Sequence, residues 1–176
     1  MKTLETERLV LRGWQKNDIA DLFDIMKNPS VSNGGWKPHS DINTSAEILN
    51  DYIKSDDVWA VELKCRKKVI GYIKISPDNN RGKHNAKSIS YVLAEDYWGS
   101  GYMTEAVKRI VDYVFTDLNA DLLSAFHYHD NNKSQRVLEK CGFEYEITIK
   151  QGCKRYDGML FDSVCYSLLK TDYYKK

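Results

Sequence analysis

Apolar positions along the chain follow two rhythms, and the places where one gives way to the other mark its elements. From Glu7 to Trp14, Leu9 and Leu11 fall on one side and Arg8, Val10 and Arg12 on the other, the two-residue period of a first strand. Ile19, Leu22, Phe23 and Met26 then recur at three- and four-residue steps. This predicts a helix capped by Asn17 or Asp18 and ended at Asn28-Pro29, because proline disfavours helical geometry in the residue before it. Ser32 to Ile42, with Gly34, Gly35, Trp36, Pro38 and His39, reads as a loop that either walls a ligand or simply packs. Thr44-Ser45-Ala46-Glu47 has capping-box spacing for a second helix, whose inward face is Ile48, Leu49, Tyr52 and Ile53.

Trp59 to Leu63 and Val69 to Ile75 alternate around the basic link Cys65-Arg66-Lys67-Lys68, predicting an antiparallel hairpin. Pro77 to Lys87 is a polar excursion whose Arg81, Lys83, His84 and Lys87 either meet an acidic substrate or form a solvated loop. Ile89, Tyr91 and Leu93 then alternate as a strand, and Met103, Ala106, Val107, Ile110, Val111, Val114 and Phe115 make one helical face. Leu122 to Tyr128 is a strand parallel to the one before that helix, since a helical crossover joins them. A helix from about Lys133 to Lys140 turns Val137, Leu138 and Cys141 inward, with Gly142 as its left-handed cap. Phe143 to Ile149 and Met159 to Leu169 close the chain as strands linked by Gly152 to Gly158.

This order of elements predicts an α/β (α+β) fold, a central mixed sheet flanked by helices. At 176 residues, with no interdomain linker or repeat, a single domain over 1–176 is expected. A charged fraction of 29% and a net charge of +1 give no basis for nucleic-acid binding through overall charge. The absence of a long apolar run predicts a cytoplasmic protein with no membrane partner. Cys65, Cys141, Cys153 and Cys165 lack Cys-x-x-Cys spacing, and His127 and His129 alone are a weak metal signal, so no metal site is expected.

The chemistry centres on Tyr97 to Ala106. Gly99 and Gly101 stand between a strand and a helix, where bare backbone N–H groups can converge on a phosphate. Such a unit serves a dinucleotide, a nucleoside triphosphate or coenzyme A. The chain lacks Gly-x-x-x-x-Gly-Lys-Ser/Thr, Thr104 occupies the third-glycine position of the dinucleotide fingerprint, and the turn comes late in the chain.

Thr6-Glu7-Arg8-Leu9-Val10-Leu11-Arg12, Tyr97 to Ala106, Asn131-Asn132-Lys133-Ser134 with Leu138 to Phe143, and Ser163 to Leu169 resemble, in that order, the motifs of the GNAT family of acyl-CoA-dependent N-acyltransferases. The branch they resemble in particular acetylates ribosomal-protein N-termini. The resemblance implies the GNAT fold, about seven strands with about four helices, and acetyl-CoA as acyl donor. It implies an amine-bearing acceptor, either a peptide N-terminus or a small molecule, attacked directly in a ternary complex. The protein would then be a monomer or a homodimer.

By the same resemblance, Trp98, Gly99, Ser100, Gly101, Tyr102, Met103 and Thr104 form the cofactor-binding turn: the N–H groups from Gly99 to Thr104 hold the diphosphate, the Thr104 hydroxyl is an extra donor, and Met103 turns its side chain away. The backbone of Val92, Leu93 and Ala94 binds the pantetheine arm and polarises the thioester. Asn131 lies on the pantetheine or substrate side, and Ser134 binds cofactor and protonates the departing thiolate. Lys140 either nears the adenosine phosphate or is a solvated helix-end lysine. Trp98 and Met103 depart from the family's glycine motif, and Ser88 stands at the usual glutamate and Leu138 at the usual tyrosine, so that both of those catalytic residues are lost. Their loss supports an alternative, a noncatalytic coenzyme-A-binding module. Glu95 and Asp96 adjoin the turn, whereas His127 either reaches the amine, directly or through water, or packs within its strand. An α-amine needs less help than lysine in losing its proton, which leans away from lysine.

Overall fold

A computed structural model describes residues 1–32, 35–82 and 85–175. Eight strands hydrogen-bond in one sheet, in the order β1-β2-β3-β4-β5-β6-β8-β7. They are β1 (Leu4–Glu5), β2 (Leu9–Arg12), β3 (Val58–Leu63), β4 (Lys68–Pro77), β5 (Ala86–Leu93), β6 (Leu122–Tyr128), β7 (Glu144–Lys154) and β8 (Leu160–Leu169). The helices are α1 (Ile19–Met26), α2 (Pro29–Ser32), α3 (Ile42–Lys54), α4 (Tyr102–Thr116), α5 (Asn132–Lys140) and α6 (Lys170–Tyr173). Eight strands and six helices exceed the seven and four expected, because β1, α2 and α6, of two to four residues, are too short for a periodic signal.

The chain divides into two compact units, Met1–Lys74 with Tyr91–Ala106, and Ile75–Ser90 with Val107–Lys176. In the first, β1 to β3 pair antiparallel in sequence order and β3 pairs antiparallel with β4, confirming the hairpin. Trp14, Leu22, Ile25, Met26, Leu49 and Tyr72 are buried in one apolar cluster, against which Val92 and Ala94 pack. Asp18 and Thr44 depart from their expected capping roles. Asp18 is buried, with its carboxylate taking both Arg12 guanidinium nitrogens at 2.8 Å, and α1 starts after a 3₁₀ turn over Lys16–Asp18. Helix α3 begins two residues before Thr44 because Asp41 accepts from the N–H groups of Asn43 and Thr44, a stronger cap than a hydroxyl. Of the expected loop only Ser32 belongs to α2, which follows Asn28, and Trp36 donates from Nε1 to the Met26 carbonyl at 3.0 Å and packs against the apolar cluster. Gly34 of that loop lies outside the described residues, as do Lys83 and His84 of the polar excursion.

In the second unit β5 pairs parallel with β6, as the crossover requires, and β8 lies antiparallel between β6 and β7. The excursion after β4 is tied down: Asp78 accepts from Ser124 Oγ at 2.6 Å, and Arg81 pairs with Asp78 and Glu146. Strand β7 runs on to Lys154, so the link to β8 is shorter than the expected 152–158. All seven apolar positions assigned to one face of α4 are buried. Gly142 has φ of 88°, the left-handed cap expected after α5.

Candidate active site

In the first unit, β5 ends at Leu93 and leads through a 3₁₀ turn, Glu95–Tyr97, into the glycine turn and α4. Gly99 and Gly101 have φ of 75° and 80°, a region costly for residues with a Cβ. A Cβ at Gly99 would stand in open space, so the turn's outer side is uncovered in this unit. The turn therefore aims bare backbone at the amino end of a 15-residue helix, whose unpaired N–H groups and dipole favour an anion. Met103 is buried at 4% exposure, its side chain turned into the protein. Trp98 bends back, and its indole Nε1 donates to the Leu93 carbonyl at 2.8 Å, binding the end of β5 to the turn.

A brace unseen in the sequence holds the same turn. Arg8 donates from Nε to Glu105 at 2.6 Å and from Nη1 to the Ser100 carbonyl at 3.1 Å, and its guanidinium lies 4.4 Å from the centre of the Tyr102 ring. Glu105 also accepts from the Arg8 backbone N–H at 2.9 Å and the Thr6 hydroxyl at 2.5 Å. Burial works to raise the Glu105 pKa, but these donors and the Arg8 charge outweigh it and hold the carboxylate below its ordinary value. Arg8 and Glu105 are 97 positions apart, a separation no local motif reveals.

The end of β5 is set by close backbone approach. A Cβ at Gly71 of β4 would stand 2.2 Å from the Val92 carbonyl oxygen, so only glycine lets the strands meet there. The Ala94 N–H donates to the Ile70 carbonyl at 2.8 Å and is thereby committed to the fold. Beside them a cavity of about 560 Å³ is lined by residues including Asp21, Asp24, Lys68, Ala94, Glu95 and Tyr97. Glu95 accepts from Asn28 Nδ2 at 2.9 Å, and Lys68 lies within 4 Å of both Asp21 and Asp24.

His127, Asn131 and Ser134 belong to the second unit. Asn131 caps α5, its Oδ1 accepting from the Ser134 N–H at 3.1 Å, which places Ser134 in the first helical turn. His127 is 4% exposed, with Nδ1 2.8 Å from the Tyr128 carbonyl and its ring 5.5 Å from that of Tyr166. A carbonyl only accepts, so Nδ1 carries a proton; Nε2 is buried without a partner. This burial closes the direct route from His127 to an amine. Leu138, at the family's tyrosine position, is fully buried. Among the described residues no group of three or more His, Cys, Asp and Glu side chains could hold a metal, and no helix is long and apolar enough to cross a membrane.

The family model for the acetyltransferase (GNAT) domain matches residues 8–144, from the Arg8 brace through the glycine turn to α5. The chain belongs to the GNAT acetyltransferase family. This GNAT chain is 29% identical to the uncharacterized N-acetyltransferase p20 of Bacillus licheniformis, over 98% of its own length and 99% of the relative's. Two solved structures share its fold at a TM-score of 0.79 and 22% identity. One is the ribosomal-protein-S5-alanine acetyltransferase from Vibrio fischeri, aligned over 98% of this chain and 99% of that one. The other is the spermidine N-acetyltransferase of Vibrio cholerae in complex with CoA and spermine, over 96% and 99%. The eight-stranded mixed sheet is the GNAT fold, and the expected family holds.

Proposed function

We propose that residues 1–176 form a single cytoplasmic GNAT domain that transfers an acetyl group from acetyl-CoA to a primary amine, by direct attack in a ternary complex. The observation that carries this reading is the Gly99–Gly101 turn, with both glycines at positive φ, at the amino end of α4. Acetyl-CoA supplies an acyl group activated as a thioester. The backbone N–H groups of 99–104 bind the diphosphate, the Trp98 N–H being committed to the Glu95 carbonyl at 3.0 Å, and the Arg8–Glu105 pair fixes that turn in shape. Val92 and Leu93 offer backbone donors to the pantetheine arm and to the oxyanion; one such preorganised donor is worth about 3 kcal/mol.

Asn131, the cap of α5, is assigned to the pantetheine or substrate side, and the Ser134 hydroxyl gives its proton to the leaving thiolate and regains one from the newly acylated nitrogen. His127 is assigned to take the proton of the ammonium by way of water rather than by direct contact, since its burial keeps the amine itself away. The acceptors named for the two structural relatives, a ribosomal-protein alanine and a polyamine, are both primary amines, and we assign this chain the same class.

Purified protein incubated with acetyl-CoA and a panel of peptides, polyamines and amino sugars should release free thiol with at least one amine. Tight coenzyme-A binding with no turnover on any amine would replace this reading with the noncatalytic module. Ser134→Ala should lower kcat while sparing the KM for acetyl-CoA; full turnover would remove the serine from the mechanism.

A further inference from the structure

In the second unit one face of the sheet is covered and the other is bare. Leu123, Ala125 and His127 of β6 are buried with Tyr166 and Leu168 of β8 on the face under α5, where Leu138 is fully buried and Gln135 hydrogen-bonds the Tyr166 hydroxyl. The alternate positions point the other way. Register sets Ile147 beside Cys165 and Cys165 beside Phe126, and in the next row Ile149 beside Ser163 and Ser163 beside Tyr128. Phe126, Ile147 and Ile149 are 54%, 55% and 49% exposed. Phe161 extends the surface, its ring 5.7 Å from that of Tyr128. No charged side chain occupies these two rows. Charged pairs stand at the ends: Arg81 with Asp78 and Glu146 beside Ser124 and Ser167 at one, and Arg155 with Asp157 against the Phe161 ring at the other. Single exposed apolar residues need no explanation, but a contiguous set with a charged rim marks a binding surface.

We infer that this face receives the peptide chain behind the acceptor amine, and that Phe126, Ile147 and Ile149 select acceptors whose second to fourth residues are large and apolar. The inference rests on the acetyl-transfer reading above. Asn131 and Ser134, assigned there to the cofactor, begin α5, the helix over the covered face. In a ternary complex the second substrate needs surface that the cofactor's helix leaves open. Three strands about 4.8 Å apart make a floor about 10 Å wide, across which an extended chain, rising about 3.3 Å per residue, lays about three residues. A small amine would call for a concave pocket instead of this flat floor. A polyamine would lose water against phenylalanine and isoleucine, while the carboxylates of Asp78, Glu146 and Asp157 are already held by arginines.

Two peptides, Ala-Ile-Phe-Ile-Gly-Lys and Ala-Ser-Asn-Ser-Gly-Lys, test this on the full chain, by calorimetric binding in the presence of coenzyme A and by kcat/KM with acetyl-CoA. The apolar peptide should bind about 10- to 100-fold more tightly and lead by a similar ratio in kcat/KM. Phe126→Ser with Ile147→Ser should remove that preference, and Ile149→Ser alone should reduce it, each at an unchanged melting temperature because these side chains are half-exposed. Equal binding of the two peptides overturns the inference, as does a preference that survives the double serine change. So does a stronger response to spermidine or 2-phenylethylamine than to the apolar peptide. A dimer in light scattering that the double serine change dissociates would give the face to a second copy and overturn it as well. Preferential binding of the apolar peptide with no acetyl transfer would support the peptide site and remove the acetyl-transfer reading alone.

Discussion

Replacing Gly71 by alanine presses on the β5 segment that the proposed mechanism uses, through one methyl group at a position remote in sequence. The added carbon would stand 2.2 Å from the Val92 carbonyl oxygen and 3.1 Å from Leu93 Cα, where ordinary contact begins at 3.4 Å. Both are backbone atoms, so no side chain can rotate away and β4 and β5 must part by about 1 Å, at a cost of about 2–3 kcal/mol for this overpacking. In a chain of this length that lowers Tm by roughly 5–10 °C. Activity should suffer more, because a displacement of about 1 Å at a preorganised donor can cost about 100-fold. The assay pairs thermal unfolding with kcat/KM measured well below the variant's Tm. Gly13→Ala serves as control: nothing lies within 4 Å of its Cβ, and it should leave both quantities unchanged. A Gly71→Ala protein with wild-type Tm and kcat/KM would refute the reasoning.

Other consequences are open to direct test. Glu105→Gln should raise the KM for acetyl-CoA with little change in kcat, since Arg8 loses the partner that fixes the phosphate-binding turn. The Glu105 pKa is depressed in the folded state, so its contribution is present above the ordinary glutamate pKa and is lost as pH falls through the lower folded value; the Tm gap between wild type and Glu105→Gln should close in acid. Asp18→Ala leaves a half-buried Arg12 with Glu62 as its one carboxylate partner among the described residues and should cost about 3 kcal/mol in denaturant unfolding. Asn131→Ala removes the cap of α5 and should destabilise by about 1 kcal/mol, read from the same unfolding curves.

The elements legible in the sequence were those with long, clean periods. The buried face of α4 and the β3–β4 hairpin follow from residue spacing alone, and the turn at Gly99 and Gly101 from two glycines between a strand and a helix. Features that depend on a distant partner were not legible. Asp18 has the sequence appearance of a helix cap, yet a half-buried arginine six residues earlier claims its carboxylate. Trp98 departs from the family motif for a reason visible only in three dimensions, as its indole secures the Leu93 carbonyl. Gly71 sits inside a strand pattern, and an isolated strand glycine is itself a sign of close backbone approach that could have been read. Asn131 and Ser134 are proposed for the site from their motif alone, whereas the burial of His127 depends on strands paired far along the chain.

The central claim is amine acetylation from acetyl-CoA by this turn and the end of β5. Its most direct measurement is free-thiol release on mixing the protein with acetyl-CoA and the amine panel, followed by mass analysis of the acceptors. The account predicts stoichiometric thiol and an acetyl group, a gain of one C₂H₂O unit, on the amine nitrogen of at least one acceptor. Coenzyme-A binding with neither thiol release nor an acetylated amine across the panel would contradict it.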